Sequence, residues 1–333
     1  MNRSKQAHMA IKTIVFLLVG LALPPFHLAV AQQPAKMAKI AWLGARPSSA
    51  SGREVLIREL RVLGYVEGKN VAFEYRYADN KLDRLPALAE ELVRLKVDVL
   101  VTPGTAEALA AKNATGTIPI VFLGVVDPLT AGLVDSLARP GGNITGFDPI
   151  VSVLAGKRRE LLKETVPKLS RVAVLWDPQS PGSTPQWKES EKAARELGLQ
   201  LYSMEVSSSD QFDGAFKEAT KARSAALAVT VGALTASHQK RIVDLAAKNR
   251  LPAIYPRIDY VQSGGLMSYG TDQSESYRRT AFMVDKILKG TKPADIPVEQ
   301  PTKFELMINL KTAKALNLTI PPVVMMRAEK VIK

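Results

Sequence analysis

The chain of 333 residues contains no cysteine. It can form no disulfide, no thiolate-rich metal centre and no thiol nucleophile. Histidine is nearly absent too: His8, His27 and His238 are the full set. The first two lie in a segment that reads as removed on export. One remaining histidine cannot build a His-rich zinc site and gives Ser-His-Asp catalysis little to run on. His238 falls inside an amphipathic segment and reads as solvated surface. The chain has no G-x-S-x-G elbow, no P-loop and no G-x-G-x-x-G fingerprint. No apolar run after Ala31 approaches the ~20 residues of a membrane-spanning helix. These absences argue against an enzyme and against a metal or cofactor.

What is present begins at the N-terminus. Met1 to Lys12 carries Arg3, Lys5 and Lys12 and no acid. Ile14 to Leu23 is almost unbroken apolar sequence, Pro24-Pro25 ends it, and Ala29-Val30-Ala31 offers small residues at a cleavage site. This is the layout of a secretory signal peptide, with cleavage expected after Ala31. Without a lipid-attachment cysteine, the expected location is the periplasm of a Gram-negative cell. The 45 Lys+Arg fall to 42 without Arg3, Lys5 and Lys12, against 32 Asp+Glu. Acids interleave with these bases, as in Lys157-Arg158-Arg159-Glu160 and Lys188-Glu189-Ser190-Glu191-Lys192. Such runs read as solvated helix faces with a mild bias toward anionic ligands, not as a nucleic-acid surface.

Short apolar runs then alternate with amphipathic segments. Strands are expected at Lys39–Gly44, Asn70–Tyr75, Val97–Thr102 and Ile118–Gly124, and later at Arg171–Trp176, Gln200–Val206, Ala225–Val231 and Pro252–Tyr255. Helices fill the gaps, including one from Thr235 to Asn249. This rhythm predicts an α/β fold of two Rossmann-like lobes with parallel sheets, joined by a multi-strand hinge. An internal echo supports two lobes: Val101-Thr102-Pro103-Gly104-Thr105 leads to Ala110-Ala111-Lys112-Asn113, and Val229-Thr230-Val231-Gly232-Ala233 leads to Ala246-Ala247-Lys248-Asn249. Gly-rich stretches near Arg139–Asp148 and Ser263–Gly270 read as crossings between lobes.

Ligands of open parallel sheets collect where strands run into helix N-termini. The residues at those points are Arg46, Ser48 and Ser49, then Thr102, Gly104 and Thr105, then Asp127. In the second half they are Trp176, Asp177, Ser180 and Ser183, then Gly232 and Ala233, then Tyr255 and Arg257. Hydroxyls and backbone N–H groups at Ser48, Ser49, Thr102, Thr105 and Ser183 suit an anionic head. Asp127 and Asp177 suit an ammonium group, and Trp176, Tyr255 and Tyr269 offer flat walls. Each also has a plainer reading as an N-cap or a turn residue.

Several motifs point further: Leu63-Gly64-Tyr65-Val66-Glu67-Gly68-Lys69-Asn70-Val71, Arg84-Leu85-Pro86 with Asp98-Val99-Leu100-Val101-Thr102, Ala138-Arg139-Pro140-Gly141-Gly142-Asn143-Ile144-Thr145-Gly146, Pro297 to Glu305, and Ile308 to Ala313. In this order they resemble the ABC-transporter substrate-binding proteins of the tryptophan/tyrosine type, with the type I periplasmic binding fold. The resemblance spans the mature chain. It implies two lobes joined by three crossovers, and a small molecule held between them and passed to a membrane permease. Lobe I would comprise residues 37–146 and about 266–292, and lobe II residues 147–265 and about 293–333. It also implies ligand contacts at Thr102, Gly104, Thr105, Asp127, Ser183, Gly232 and Asp272. The chain is then a monomeric receptor, without a cofactor, for an amino acid, aromatic or carboxylate compound. Two readings stay open: a sensory module feeding a membrane receptor or kinase, and a hydrolase using Asp127 or Asp177 as base.

Overall fold

The computed structural model describes residues 37–46 and 52–333. The leader segment, Ser48 and Ser49 therefore lie outside the described residues. Apolar runs become strands, fully buried in the interior of each sheet and only partly buried where polar residues enter at the sheet edges. The first set is β1 (Ala38–Gly44), β2 (Val71–Tyr77), β3 (Val99–Thr102), β4 (Ile120–Phe122) and β5 (Ile144–Gly146). They form one parallel sheet in the order β2-β1-β3-β4-β5. The second set is β6 (Arg171–Trp176), β7 (Gln200–Glu205), β8 (Ala226–Val229), β9 (Ala253–Tyr255), β10 (Met267–Thr271), β11 (Phe304–Asn309) and β12 (Lys330–Ile332). They form a sheet in the order β12-β11-β10-β9-β8-β6-β7, parallel except where β10 meets β11.

Helices cover both faces of each sheet. On the first sheet, α1 (Arg53–Val62) and α2 (Leu85–Arg94) present leucines at helical spacing, and α3 (Thr105–Ala114) follows β3. On the second are α4 (Val151–Thr165), α5 (Ser183–Leu197), α6 (Phe212–Lys221), α7 (Ala233–Ser237), α8 (Gln239–Lys248) and α9 (Ile258–Gln262). Helix α10 (Gln273–Leu288) returns to the first sheet, where Ala281, Met283 and Val284 pack with Ile40 and Val99. Short helices α11 (Leu310–Ala315) and α12 (Pro322–Met325) close the second lobe. Each sheet thus carries an apolar core on both faces.

Three details differ from the sequence reading. The helix expected over Thr235–Asn249 breaks at His238 into α7 and α8. His238 is half-buried, with Nδ1 3.0 Å from the Leu234 carbonyl and its ring edge-on to Phe212. Residues 264–270 are no crossing: β10 pairs with β9 and β11 inside the second sheet. Segment 266–271 therefore sits with the second sheet, while Ile296 and Val298 join the cores of the first. The crossings are the segments after β5, after β10 and before β11.

At the first crossing the Asp148 N–H donates to the Glu299 carbonyl at 2.8 Å, tying two crossing segments together. The Asp148 carboxylate accepts from the Ile150 N–H at 2.8 Å and from Gln300 Nε2 at 2.9 Å. Burial nonetheless raises its pKa. Ile150 has φ 46°, a left-handed conformation that costs a β-branched residue about 1–3 kcal/mol.

Phe122, at the end of β4, is fully buried in the first lobe's core. Phe122→Ala is expected to cost about 3–5 kcal/mol of folding free energy. Equilibrium denaturation of the two proteins without ligand measures it.

Candidate functional site

The C-terminal edges of the two sheets face each other, so the loops that leave their strands meet. The internal echo is visible in the backbone. Gly104 caps α3 with φ −156° and ψ 176°, and Gly232 caps α7 with φ −171° and ψ 163°. Both line a chamber of about 110 Å³ with Thr105, Glu107, Ser180 and Ala233. A second chamber of about 120 Å³ lies against it, lined by Arg158, Leu154, Thr271, Ser276 and Tyr277. Arg46, Pro103, Gly124, Val231 and Arg257 border both, so the two chambers make one cleft.

The lobes touch beside this cleft. A Cβ built on Gly182, at the head of α5, would lie 3.2 Å from both Thr105 Oγ1 and Val126 Cγ2 across the gap. Any side chain at this position would press on both groups, which would have to give way by a few tenths of an ångström. The Ser237 hydroxyl donates to Asn80 Oδ1 at 2.9 Å, and Ala233 packs against the first-lobe core.

The electrostatics are lopsided. Arginines 46, 158 and 257 line the chambers, while Glu107 is the single acid among the described lining residues. Burial lowers the Arg46 pKa, and Arg257 adds to the effect. Arg257 is also depressed by burial, but Asp259, which bonds its guanidinium, outweighs this and leaves its pKa raised. Burial, with neighbouring Arg159, brings Arg158 down to about 9, still a cation at neutral pH. Glu107 sits in the first turn of α3, and its Oε1 accepts from the Ala45 N–H at 3.0 Å. Burial raises its pKa, outweighing the hydrogen bonds it accepts and the pull of Arg46.

The expected site residues divide. Arg46, Gly104, Thr105, Ser180, Gly232 and Ala233 line the cleft. Thr105 Oγ1 also accepts from the Val126 N–H at 3.0 Å. Thr102 and Ser183 are buried beneath it, and neither hydroxyl has a hydrogen-bond partner. The aromatic walls lie elsewhere. Trp176 stacks on Trp187 at 5.1 Å and donates to Ser203 at 2.7 Å. Tyr255 is fully buried, stacks on Tyr260 and borders a separate cavity of about 320 Å³. Tyr269 stacks on Phe304. Alternation along a strand accounts for this: a ring on a strand residue points into a sheet face, not beyond the strand's end. The carboxylates are also engaged. Asp127 accepts from the Thr130 N–H at 3.1 Å, Asp177 from Gln179 at 2.9 Å and Asp272 from Ser274 at 2.9 Å. None of the three lines either chamber.

Three lining side chains escape sequence reasoning: Glu107, Arg158 and Tyr277. Glu107 looks like an ordinary acid in a first helical turn. Arg158 and Arg159 belong to a run that reads as solvated, yet both are 1% exposed. Helix α4 is gripped on two sides, by α5 and by β9 and β10, which leaves that face no solvent.

Two α/β lobes with a polar cleft between opposed strand ends define the two-lobed, type I class of periplasmic solute-binding proteins. Residues 42–332 match the family of ABC transporter substrate binding proteins, and the chain belongs to it. That is a family of binding proteins, not of enzymes. A tyrosine-binding protein of Clostridioides difficile is 29% identical over 279 residues, which cover 84% of this chain and 80% of that protein. The solved complex of an ABC domain with L-Trp from Streptococcus pneumonia superposes with a TM-score of 0.81 at 27% identity, covering 89% of this chain and 99% of the other. The ligand-free, open structure of a substrate binding protein with adhesive properties from Clostridium difficile gives 0.64 at 26% identity, with the same coverage.

The Glu107 shift predicts a pH dependence of stability. A carboxyl whose folded pKa lies above its unfolded value of about 4.3 favours folding fully only below that value. Its contribution is lost as pH rises through the folded pKa. Glu107→Gln removes the titration, so the variant should lose less stability than the parent as pH is raised from about 4. Melting temperature against pH for both proteins, without ligand, checks this.

Proposed function

We propose that the protein is a periplasmic receptor of an ABC importer. It captures a small carboxylate-bearing molecule, an amino acid or an aromatic or other organic acid, between its lobes and presents the closed form to a membrane permease. The basic leader-like N-terminus supports the location, and the family supports the transport role. The observation that carries the ligand class is the cleft itself, lined by three arginines and one carboxyl that burial pushes up in pKa. The relatives named for tyrosine binding and solved with L-Trp are consistent with a carboxylate head.

The mechanism is closure without covalent chemistry. A ligand that touches both rims binds the closed form better and shifts the population toward it. At nearly equal identity the chain superposes better on the L-Trp complex than on the open, ligand-free relative, which supports reading the described arrangement as closed. The proposed monomer needs no second copy, since both rims come from one chain.

Two outcomes are expected. In a thermal-shift screen of amino acids and organic acids, at least one compound should raise the melting temperature, by about 2.7 kcal/mol of stabilisation at a hundredfold excess over Kd. A flat screen would contradict the ligand class. Gly182→Val should overpack the closed interface by about 1–3 kcal/mol, which weakens that ligand about fivefold to 150-fold. Isothermal titration measures the loss, and unchanged affinity would contradict closure at this contact.

A further inference from the structure

We infer that the ligand is an organic acid that carries no ammonium group, its carboxylate held against Arg158. This inference rests on the receptor reading above and narrows it.

Arg158 is 1% exposed and lines the chamber nearest the hinge. Its Nε donates to the Tyr269 carbonyl at 2.8 Å, while Nη1 has no hydrogen-bond partner. No carboxylate is among the groups that act on it, and Arg159 beside it adds a second buried cation. Arg159 donates to the Ala155 carbonyl of its own helix and to Ser190 on α5 at 2.6 Å. Only Arg158 opens on the cleft. A desolvated guanidinium with an idle donor and no counter-charge is costly to fold around. An anion in the chamber supplies both missing terms, and guanidinium geometry matches a carboxylate in particular. Arg46 and Arg257 border the same space and add to its positive field.

The second half of the inference concerns what an amino acid would also need. Its ammonium group requires an acceptor set, normally a carboxylate. Asp127, Asp177 and Asp272 each bond local backbone and line neither chamber; Asp127 lines instead a wider cavity of about 650 Å³ beside the first one. Asp259 bonds Arg257. That leaves Glu107, which is engaged by Ala45 and held toward its neutral form by burial. An ammonium placed in either chamber would also face Arg46 and Arg257. Like charges in a desolvated cleft repel, so the amino group is selected against.

Matched pairs test this on the intact mature protein by isothermal titration: tyrosine against 3-(4-hydroxyphenyl)propionate, tryptophan against indole-3-propionate, leucine against 4-methylpentanoate. In any pair that binds, the acid lacking the amino group should bind at least about tenfold tighter. Arg158→Met should weaken that acid roughly thirtyfold or more without lowering the melting temperature of the ligand-free protein. Equal or tighter binding of the amino acid overturns this inference and leaves the receptor reading standing. Silence from every compound overturns both. Full affinity in Arg158→Met overturns the assignment of that residue. Should the variant fail to fold, the comparison of pairs on the unaltered protein still decides the question.

Discussion

Burying a guanidinium is among the most expensive things a folded chain does, because water solvates the charge so well. Here the expense falls between two lobes, in a cleft where an outside molecule could offset it. Arg158 is carried there by α4, the first helix after the crossing from the first lobe, and Arg46 and Arg257 by loops that leave β1 and β9. The positive field of the cleft is therefore built from both lobes and from the hinge-side helix. In the proposed function it is complete only when those parts come together, so that recognition of an anion is linked to closure.

The scaffold makes that convergence possible with ordinary means. Parallel strands buried on both faces force their connecting loops to the sheet ends, and two such sheets set edge to edge present opposed rims. Gly104 and Gly232 start matching helices in each lobe, and Gly182 removes the side chain that would hold the rims apart. Crossing segments tied by Phe147, Asp148 and Glu299 give the lobes a common pivot. Ile150 holds a left-handed backbone at that pivot, where an exposed loop would gain nothing from it.

Much of this architecture is legible in the sequence, because continuous apolar runs and leucine spacing speak directly to burial. The echo around Gly104 and Gly232 reads as two lobes of like topology, and both glycines line the cleft. The family resemblance, carried by motifs scattered from Leu63 to Ala313, agrees with the match over residues 42–332. The site is less legible. Trp176, Tyr255 and Tyr269 look like ligand walls in one dimension, but strand pleating turns their rings into the sheet faces. Arg158 and Arg159 look like surface charge, because mixed-charge runs on helices are usually solvated. Their burial follows from α4 being packed on two sides, a tertiary fact with no local signature. Glu107 is hidden for the same reason: a first-turn acid is common, and only the meeting of α3 with the loop after β1 makes it part of a cleft.

The central claim is that an anion completes the charge of the closed cleft. A crystal structure of the protein with its tightest-binding organic acid tests it most directly. The account predicts a carboxylate oxygen within hydrogen-bond distance of Arg158 Nη1, with Arg46 and Arg257 around the same group. A ligand seated between the lobes with its carboxylate turned away from Arg158, or one bound outside the cleft, would contradict it.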